Sequence, residues 1–377
     1  MAEKKISIMS YPQVAIDFAP RIPPLKKIKD KSKIDVRYCL VSPFTYVHIY
    51  WDPEQYEVIY DIEEPILDEK EKKYKDQLVT AMRNMIDFNE IINKKNETLF
   101  EYIDKRFKVL ATELGMNITY ESYKKIYYYL ARDFIGFNEA ESLLRDYFIE
   151  DIECNGANTP VYIVHRLFRN LKTNLQFEDN DRLESFVEKL AQRCNKSISY
   201  AKPILDGSLP DGSRVNATYT KDITSKGPTF TIRKFTKTPW TPPQLIAKNT
   251  LSPEMLAYFW LLIEYKMNLL IVGGTASGKT TLLNAIAFFV PPEARIVTIE
   301  DTRELNLPKD NWLPSVARSA TGIGDMGAIN LYDLLKSSFR QNPDYVVVGE
   351  VRGKEASVLF QGMASGHSSI STIHADS

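Results

Sequence analysis

The sequence predicts an α/β protein: a parallel-sheet core in the last third of the chain, preceded by an α+β module and a strand-plus-helical-bundle region. Three observations predict it. Residues 244–377 alternate helical stripes with apolar runs of strand length, the pattern of a parallel sheet covered on both faces. Residues 136–236 mix short strands with one strong amphipathic stripe, and residues 35–135 run from three β-rich segments into three stripes at helical spacing.

Taken in order, residues 1–34 are rich in Lys and Pro, with Lys26, Lys27, Lys29, Lys31 and Lys33 behind Pro23-Pro24, and read as a mobile basic arm. Segments 36–41, 46–51 and 56–60, separated by Ser42-Pro43 and Asp52-Pro53, read as an antiparallel meander. Three helical stripes follow: Tyr74, Leu78, Met82, Met85; then Phe100, Ile103, Phe107, Leu110, Leu114; then Tyr123, Ile126, Tyr127, Leu130, Phe134. The tyrosines of the third are interleaved with Lys124 and Lys125, but their spacing favours a packed stripe over a base-stacking platform. Strands near 149–154, 161–165, 173–177, 214–219 and 229–234, with a helix at 183–194, make the next subdomain; His48 and His165 are in phase with their strand neighbours and read as structural. Residues 237–243, ending Thr241-Pro242-Pro243, are the linker, after which Thr241 and Ser252-Pro253 open two helices.

Composition narrows the function. A chain of 377 residues with 44% hydrophobic and 26% charged residues is an ordinary globular composition, and a net charge of −1 gives no global field for nucleic acid. Cys39, Cys154 and Cys194 lack any C-x-x-C spacing, which argues against a zinc knuckle or disulfide framework and for a cytoplasmic setting. The longest apolar runs fall short of a membrane span, so contact with a membrane is expected only from the side.

The chemistry centres on Gly273-x-x-x-x-Gly278-Lys279-Thr280, which follows an apolar strand and opens a helix. In such a loop the backbone N–H groups of Gly273, Gly274, Thr275, Ala276, Ser277 and Gly278 turn inward and the helix N-terminus adds positive potential. Lys279 reaches the outer phosphates, the Thr280 hydroxyl completes a Mg2+ shell, and Thr281 adds a contact. Two later strands end in Glu300-Asp301-x-x-Glu304 and Gly349-Glu350, placing carboxylates at the sheet edge where ligands bind; one such group holds Mg2+ and another polarises the attacking water. His367 and His374 lie seven residues apart in the last motif and read as a γ-phosphate sensor or a charge partner for the acidic groups, a zinc site being weak without a third ligand.

The ordered set G-G-T-A-S-G-K-T, T-I-E-D-T-R-E, V-V-V-G-E-V-R and G-M-A-S-G-H followed by T-I-H-A resembles the motor ATPases of type II secretion, type IV pili and the archaellum. Segments 203–216, 229–235 and 161–166 are especially similar to archaeal members, and the likeness runs from about residue 123 to the end. The resemblance implies a RecA-like core, ATP and Mg2+ bound between it and the N-terminal module, and a homohexameric ring. Its partner would be a polytopic membrane platform protein at the cytoplasmic face, with peripheral membrane association and no nucleic acid. By the same resemblance Glu300 matches the water-activating glutamate, Glu350 the Walker B glutamate, and His367 and His374 the His-box pair. Arg214 and Arg233 match N-domain arginines that approach the phosphates; a strand-surface salt bridge is the structural alternative for either. The family continues past the His box with a helical region, so the expectation is a fragment in which nucleotide binding survives while ring closure and turnover depend on the remainder. A nucleic-acid translocase of the conjugative-transfer kind and a non-hydrolysing nucleotide-binding scaffold are the alternatives.

Overall fold

The computed structural model describes residues 8–18, 21–85, 98–235, 238–318 and 327–375. Contacts divide the chain into two units, Met1–Gly207 with Val215–Lys234, and Ser208–Arg214 with Phe235–Ser377.

In the first unit, strands β1 (Asp35–Val41), β2 (Thr45–Asp52) and β3 (Glu57–Glu63) form the expected meander. Helices α1 (Glu69–Met85), α2 (Leu99–Glu113), α3 (Tyr120–Phe134) and α4 (Glu141–Arg145) follow. Then come β4 (Ile149–Cys154), β5 (Pro160–His165), β6 (Arg169–Gln176), α5 (Asn180–Arg193), β7 (Ile204–Ser208), β8 (Arg214–Thr218) and β9 (Thr229–Arg233). All nine strands share one sheet in the order β1-β2-β3-β6-β5-β4-β9-β8-β7.

The meander and the following α+β segment, expected as separate subdomains, are therefore one body. Strand β3 pairs parallel with β6 through Ile59 and Lys172, Tyr60 and Thr173. A buried carboxylate helps fix the join: Asp146 Oδ2 accepts from Tyr38 and Tyr60 hydroxyls at 2.6 Å each, while its Oδ1 accepts from the Phe148 N–H at 2.8 Å. Periodicity identifies strands but not their neighbours, which is why sequence alone splits this sheet.

The helices α1 to α3 bury most of the predicted stripes; Leu114 is exposed at the end of α2, and the Met85 side chain lies outside the described residues. Thr98 and Glu101 form a capping box at the start of α2, and Thr119 caps α3, so both helices begin where side chains satisfy their first N–H groups. Leu78, Met82, Ile103, Phe107, Tyr123, Ile126 and Tyr127 make one core, with Phe107 and Tyr123 rings stacked at 5.2 Å. These tyrosines are core and offer no stacking platform.

Residues 8–18 of the 1–34 arm depart from the mobile expectation. Ile8 is buried in the helical core, with Tyr11, Val14 and Ile16 packed against it. Tyr11 donates to the Ile118 carbonyl at 3.1 Å and its own carbonyl accepts from Lys108 Nζ at 2.8 Å; Asp17 exchanges two backbone hydrogen bonds with Ser42. The four side chains Ile8, Tyr11, Val14 and Ile16, upstream of the lysine cluster, are what dock it.

The second unit holds α6 (Pro242–Ala247), α7 (Pro253–Glu264), β10 (Leu269–Gly273), α8 (Lys279–Ala287), β11 (Ile296–Glu300) and β12 (Trp312–Val316). It continues with α9 (Leu331–Ser338), β13 (Tyr345–Val351), α10 (Glu355–Ala364) and β14 (Ser368–His374). Its five strands run parallel in the order β10-β14-β13-β11-β12. Alternate residues feed two apolar layers: Ile296 and Val347 join Leu283 and Ile286 on one face, while Val297, Ile299, Val346 and Val348 join Leu335 and Leu359 on the other. Of the expected linker 237–243, residue 237 lies outside the described residues. Its other end enters α6, where the Thr241 N–H donates to Gln244 Oε1 at 3.0 Å. Among the described residues no helix is long and apolar enough to cross a membrane.

Candidate active site

The loop after β10 owes its shape to two residues in the left-handed region, Ala276 at φ 57° and Gly278 at φ 92°. A Cβ on Gly278 would meet nothing within 4 Å, so the backbone angle alone makes this position favour glycine. A Cβ on Gly273 would instead come within 2.8 Å of Ser277 Oγ, which closes the loop by donating to the Gly274 carbonyl at 2.9 Å. Lys279 Nζ donates to the same carbonyl at 2.8 Å. Lys279 and Thr280 thus open α8, and Gly278 is its N-cap, so the first N–H groups of a nine-residue helix face the loop.

Three more parallel strands bring further groups to the same C-terminal edge. Glu300 ends β11 and is 1% exposed. Its Oε1 accepts from the Glu304 and Leu305 N–H groups at 2.8 Å each, whereas Oε2 is buried with no hydrogen-bond partner. Burial pushes the carboxyl up to about 7, against the downward pull of those two N–H groups. A carboxylate with one free lone-pair face and this affinity for a proton is chemically suited to act as a base.

On β13 the pairing with β14 slips between Val348 and Val351, one extra residue bulging at Gly349-Glu350. The Gly349 carbonyl accepts from the Thr372 hydroxyl at 2.6 Å, and a Cβ on Gly349 would stand 3.1 Å from Glu300 Cγ. The bulge thus falls at Glu350, and the missing Cβ of Gly349 leaves room for Glu300. At the end of β14, His374 Nε2 lies 2.8 Å from Thr275 Oγ1, tying the last strand to the phosphate-type loop.

A family model described as "Type II/IV secretion system protein" matches residues 138–377. The chain belongs to this family. An uncharacterized protein of Methanocaldococcus jannaschii is 36% identical over 370 residues, 93% of this chain and 66% of its own length. The type IV secretion system protein PtlH of Bordetella pertussis is 34% identical over 220 residues, 52% of this chain and 64% of its own. Among solved structures, the Legionella pneumophila ATPase DotB matches with 19% identity and a TM-score of 0.45, over 61% of this chain and 63% of that one. The chain spans between 34% and 66% of the length of the first curated relatives it matches.

Within this secretion-family core, Lys279, Thr280, Glu300, Glu350 and His374 share one sheet edge, but His367 does not. It precedes β14, at the opposite end of a strand whose seven residues span roughly 23 Å, and its ring rests 4.7 Å from that of Phe339. The two histidines flank one strand, and an extended strand carries them apart. Arg233 is exposed on β9 and pairs with Asp151 at 2.9 Å, the strand-surface salt bridge named as its structural alternative; Arg214 is exposed at the start of β8.

Sequence reasoning missed several supporting groups. Asn284, a polar residue in the apolar stripe of α8, is buried; its Nδ2 donates to the Glu304 carbonyl at 3.2 Å and its Oδ1 accepts from the Asn306 N–H at 3.1 Å, clamping the loop that follows Glu300. That misplaced polarity was the available signal. Thr372 and Gly349 carried none.

Among the described residues no three His, Cys, Asp or Glu side chains gather to hold a metal. The donors at this edge are a threonine hydroxyl and carboxylates, hard oxygens that fit Mg2+ arriving with phosphate oxygens and its own waters rather than a protein cage. Thr280 and Glu350 are the residues that would hold it.

Proposed function

We propose that the chain is the nucleotide-handling part of an ATP-hydrolysing motor of the type II secretion, type IV pilus or archaellum kind, coupling hydrolysis to assembly of a filament or pseudopilus. It works in this reading as a ring of six at the cytoplasmic face of a membrane, against a polytopic platform protein. The observation that carries it is the convergence at one sheet edge of the Gly273–Thr281 loop, the buried base Glu300, the bulged Glu350 and the loop-bound His374. The name of PtlH, a type IV secretion system protein, supports it from outside the chain.

The loop N–H groups and Lys279 hold the phosphates, leaving the Gly274 carbonyl as Lys279 turns to them. Glu300 Oε2 takes the proton of the attacking water, and its raised proton affinity matches that task near neutral pH. Mg2+, when bound, neutralises charge on the transferring phosphoryl group. Arg214 and Arg233, offered across a subunit boundary of the ring, supply positive charge to the transition state.

The test is ATP turnover by the protein. Lys279→Ala abolishes it, and Glu300→Gln abolishes it while ATP still binds. Turnover that survives Lys279→Ala overturns the proposal, and stimulation by DNA but not by phospholipid overturns the assignment to filament assembly.

A further inference from the structure

Arg352 follows the bulge on β13 and is one residue beyond the strand's end. Its Nη2 lies 2.5 Å from Glu350 Oε2, an ion pair whose arginine side chain is 68% exposed and whose carboxylate is 26% exposed. The backbone beneath it is fixed: Glu355, buried at the start of α10, accepts from the Arg352 and Gly353 N–H groups at 2.7 Å each through Oε1. A pinned backbone thus carries a solvent-accessible guanidinium onto Glu350. Asp301 and Glu304, on the loop that follows Glu300, also act electrostatically on Arg352. The guanidinium is therefore the counter-ion of a carboxylate edge, and it contacts the carboxylate that a divalent cation would need.

We propose that Arg352 is a positioning residue that latches Glu350 until a divalent cation enters with nucleotide, so that cation binding and release of the arginine are one coupled exchange. The proposal rests on the reading of the Gly273–Thr281 loop as a nucleotide site with Glu350 as a cation-holding group. Two cations compete for one carboxylate, and by linkage whatever strengthens the arginine's grip raises the cation concentration needed to displace it. The exchange also gives the empty edge a defined charge: with nucleotide absent, Arg352 offsets the mutual repulsion of Glu350, Asp301 and Glu304. Glu355 keeps the guanidinium at hand by holding its backbone, so the latch can close again when the cation leaves.

The experiment follows free Mn2+ by electron paramagnetic resonance as it is titrated into the ADP-loaded chain, with ADP binding in EDTA measured alongside. Arg352→Gln lowers the half-saturating Mn2+ concentration roughly three- to tenfold, the range of one partly exposed charge-assisted contact. In a Glu350→Gln background, Arg352→Gln has no further effect, because the carboxylate it guards is gone; a general charge effect would persist there. Unchanged or raised half-saturation in Arg352→Gln overturns the latch, as does an equal effect in both backgrounds. If ADP fails to bind in EDTA, the nucleotide-site reading falls, and the latch with it.

Discussion

His374 and Thr275 meet at 2.8 Å, joining the last described strand to the loop that precedes α8. The contact is set by sheet register, since Gly273 on β10 stands opposite His374 on β14. Loop conformation and the position of β14 are thereby linked through one side-chain contact.

Replacing His374 should therefore loosen the loop. His374→Ala is predicted to weaken ADP binding roughly three- to tenfold, the effect of about one net hydrogen bond. His367→Ala is predicted to leave it unchanged, because that ring sits at the far end of the strand against Phe339. Equal losses from both variants, measured by calorimetric titration, would contradict the placement.

Gly349 is the narrow point between the bulge and Glu300. Gly349→Ala forces its methyl to 3.1 Å from Glu300 Cγ, and the neighbour must shift. Destabilisation of about 1 to 3 kcal/mol is predicted from denaturant unfolding, the usual range for overpacking. A neutral substitution would mean that Glu300 is loosely held.

Glu300 also makes stability depend on pH. Its folded value, about 7, lies above the ordinary 4.5, so the folded state binds the proton more tightly than the unfolded chain does. Stability from this group is fully present below pH 4.5 and is lost as pH rises through about 7. Glu300→Gln removes the dependence, so its stability relative to wild type rises from pH 5 to pH 8 by up to about 3 kcal/mol. Parallel stability curves would contradict the raised proton affinity.

The Arg233–Asp151 pair is exposed on the arginine side. Arg233→Ala should cost less than about 1 kcal/mol in thermal unfolding. A large loss of turnover with so small a change in stability would place Arg233 in the reaction, whereas full turnover would leave it a structural surface residue.

Much of this was legible before the structure. The loop, the strand-end carboxylates and the alternation of the last third follow from local pattern, because glycine angles, strand period and helix period are local physics. What escaped depends on partners distant in sequence. Tyr60 and Asp146 share a hydrogen bond across 86 positions, and no periodicity reveals that β3 will lie beside β6. The two histidines looked paired because seven residues is a short distance along the chain, yet a strand makes it a long one in space. The Gly349-Glu350 bulge and its Thr372 partner were invisible for the same reason: they exist only once β13 and β14 are in register.

The most direct test of the central claim is equilibrium binding of ADP to this chain with and without Lys279. The account predicts saturable binding to wild type that Lys279→Ala weakens at least tenfold, since charge-assisted contacts to phosphate are lost while Gly278 and the helix N-terminus remain. Equal affinity in the two proteins, or no binding to the wild type, would contradict it.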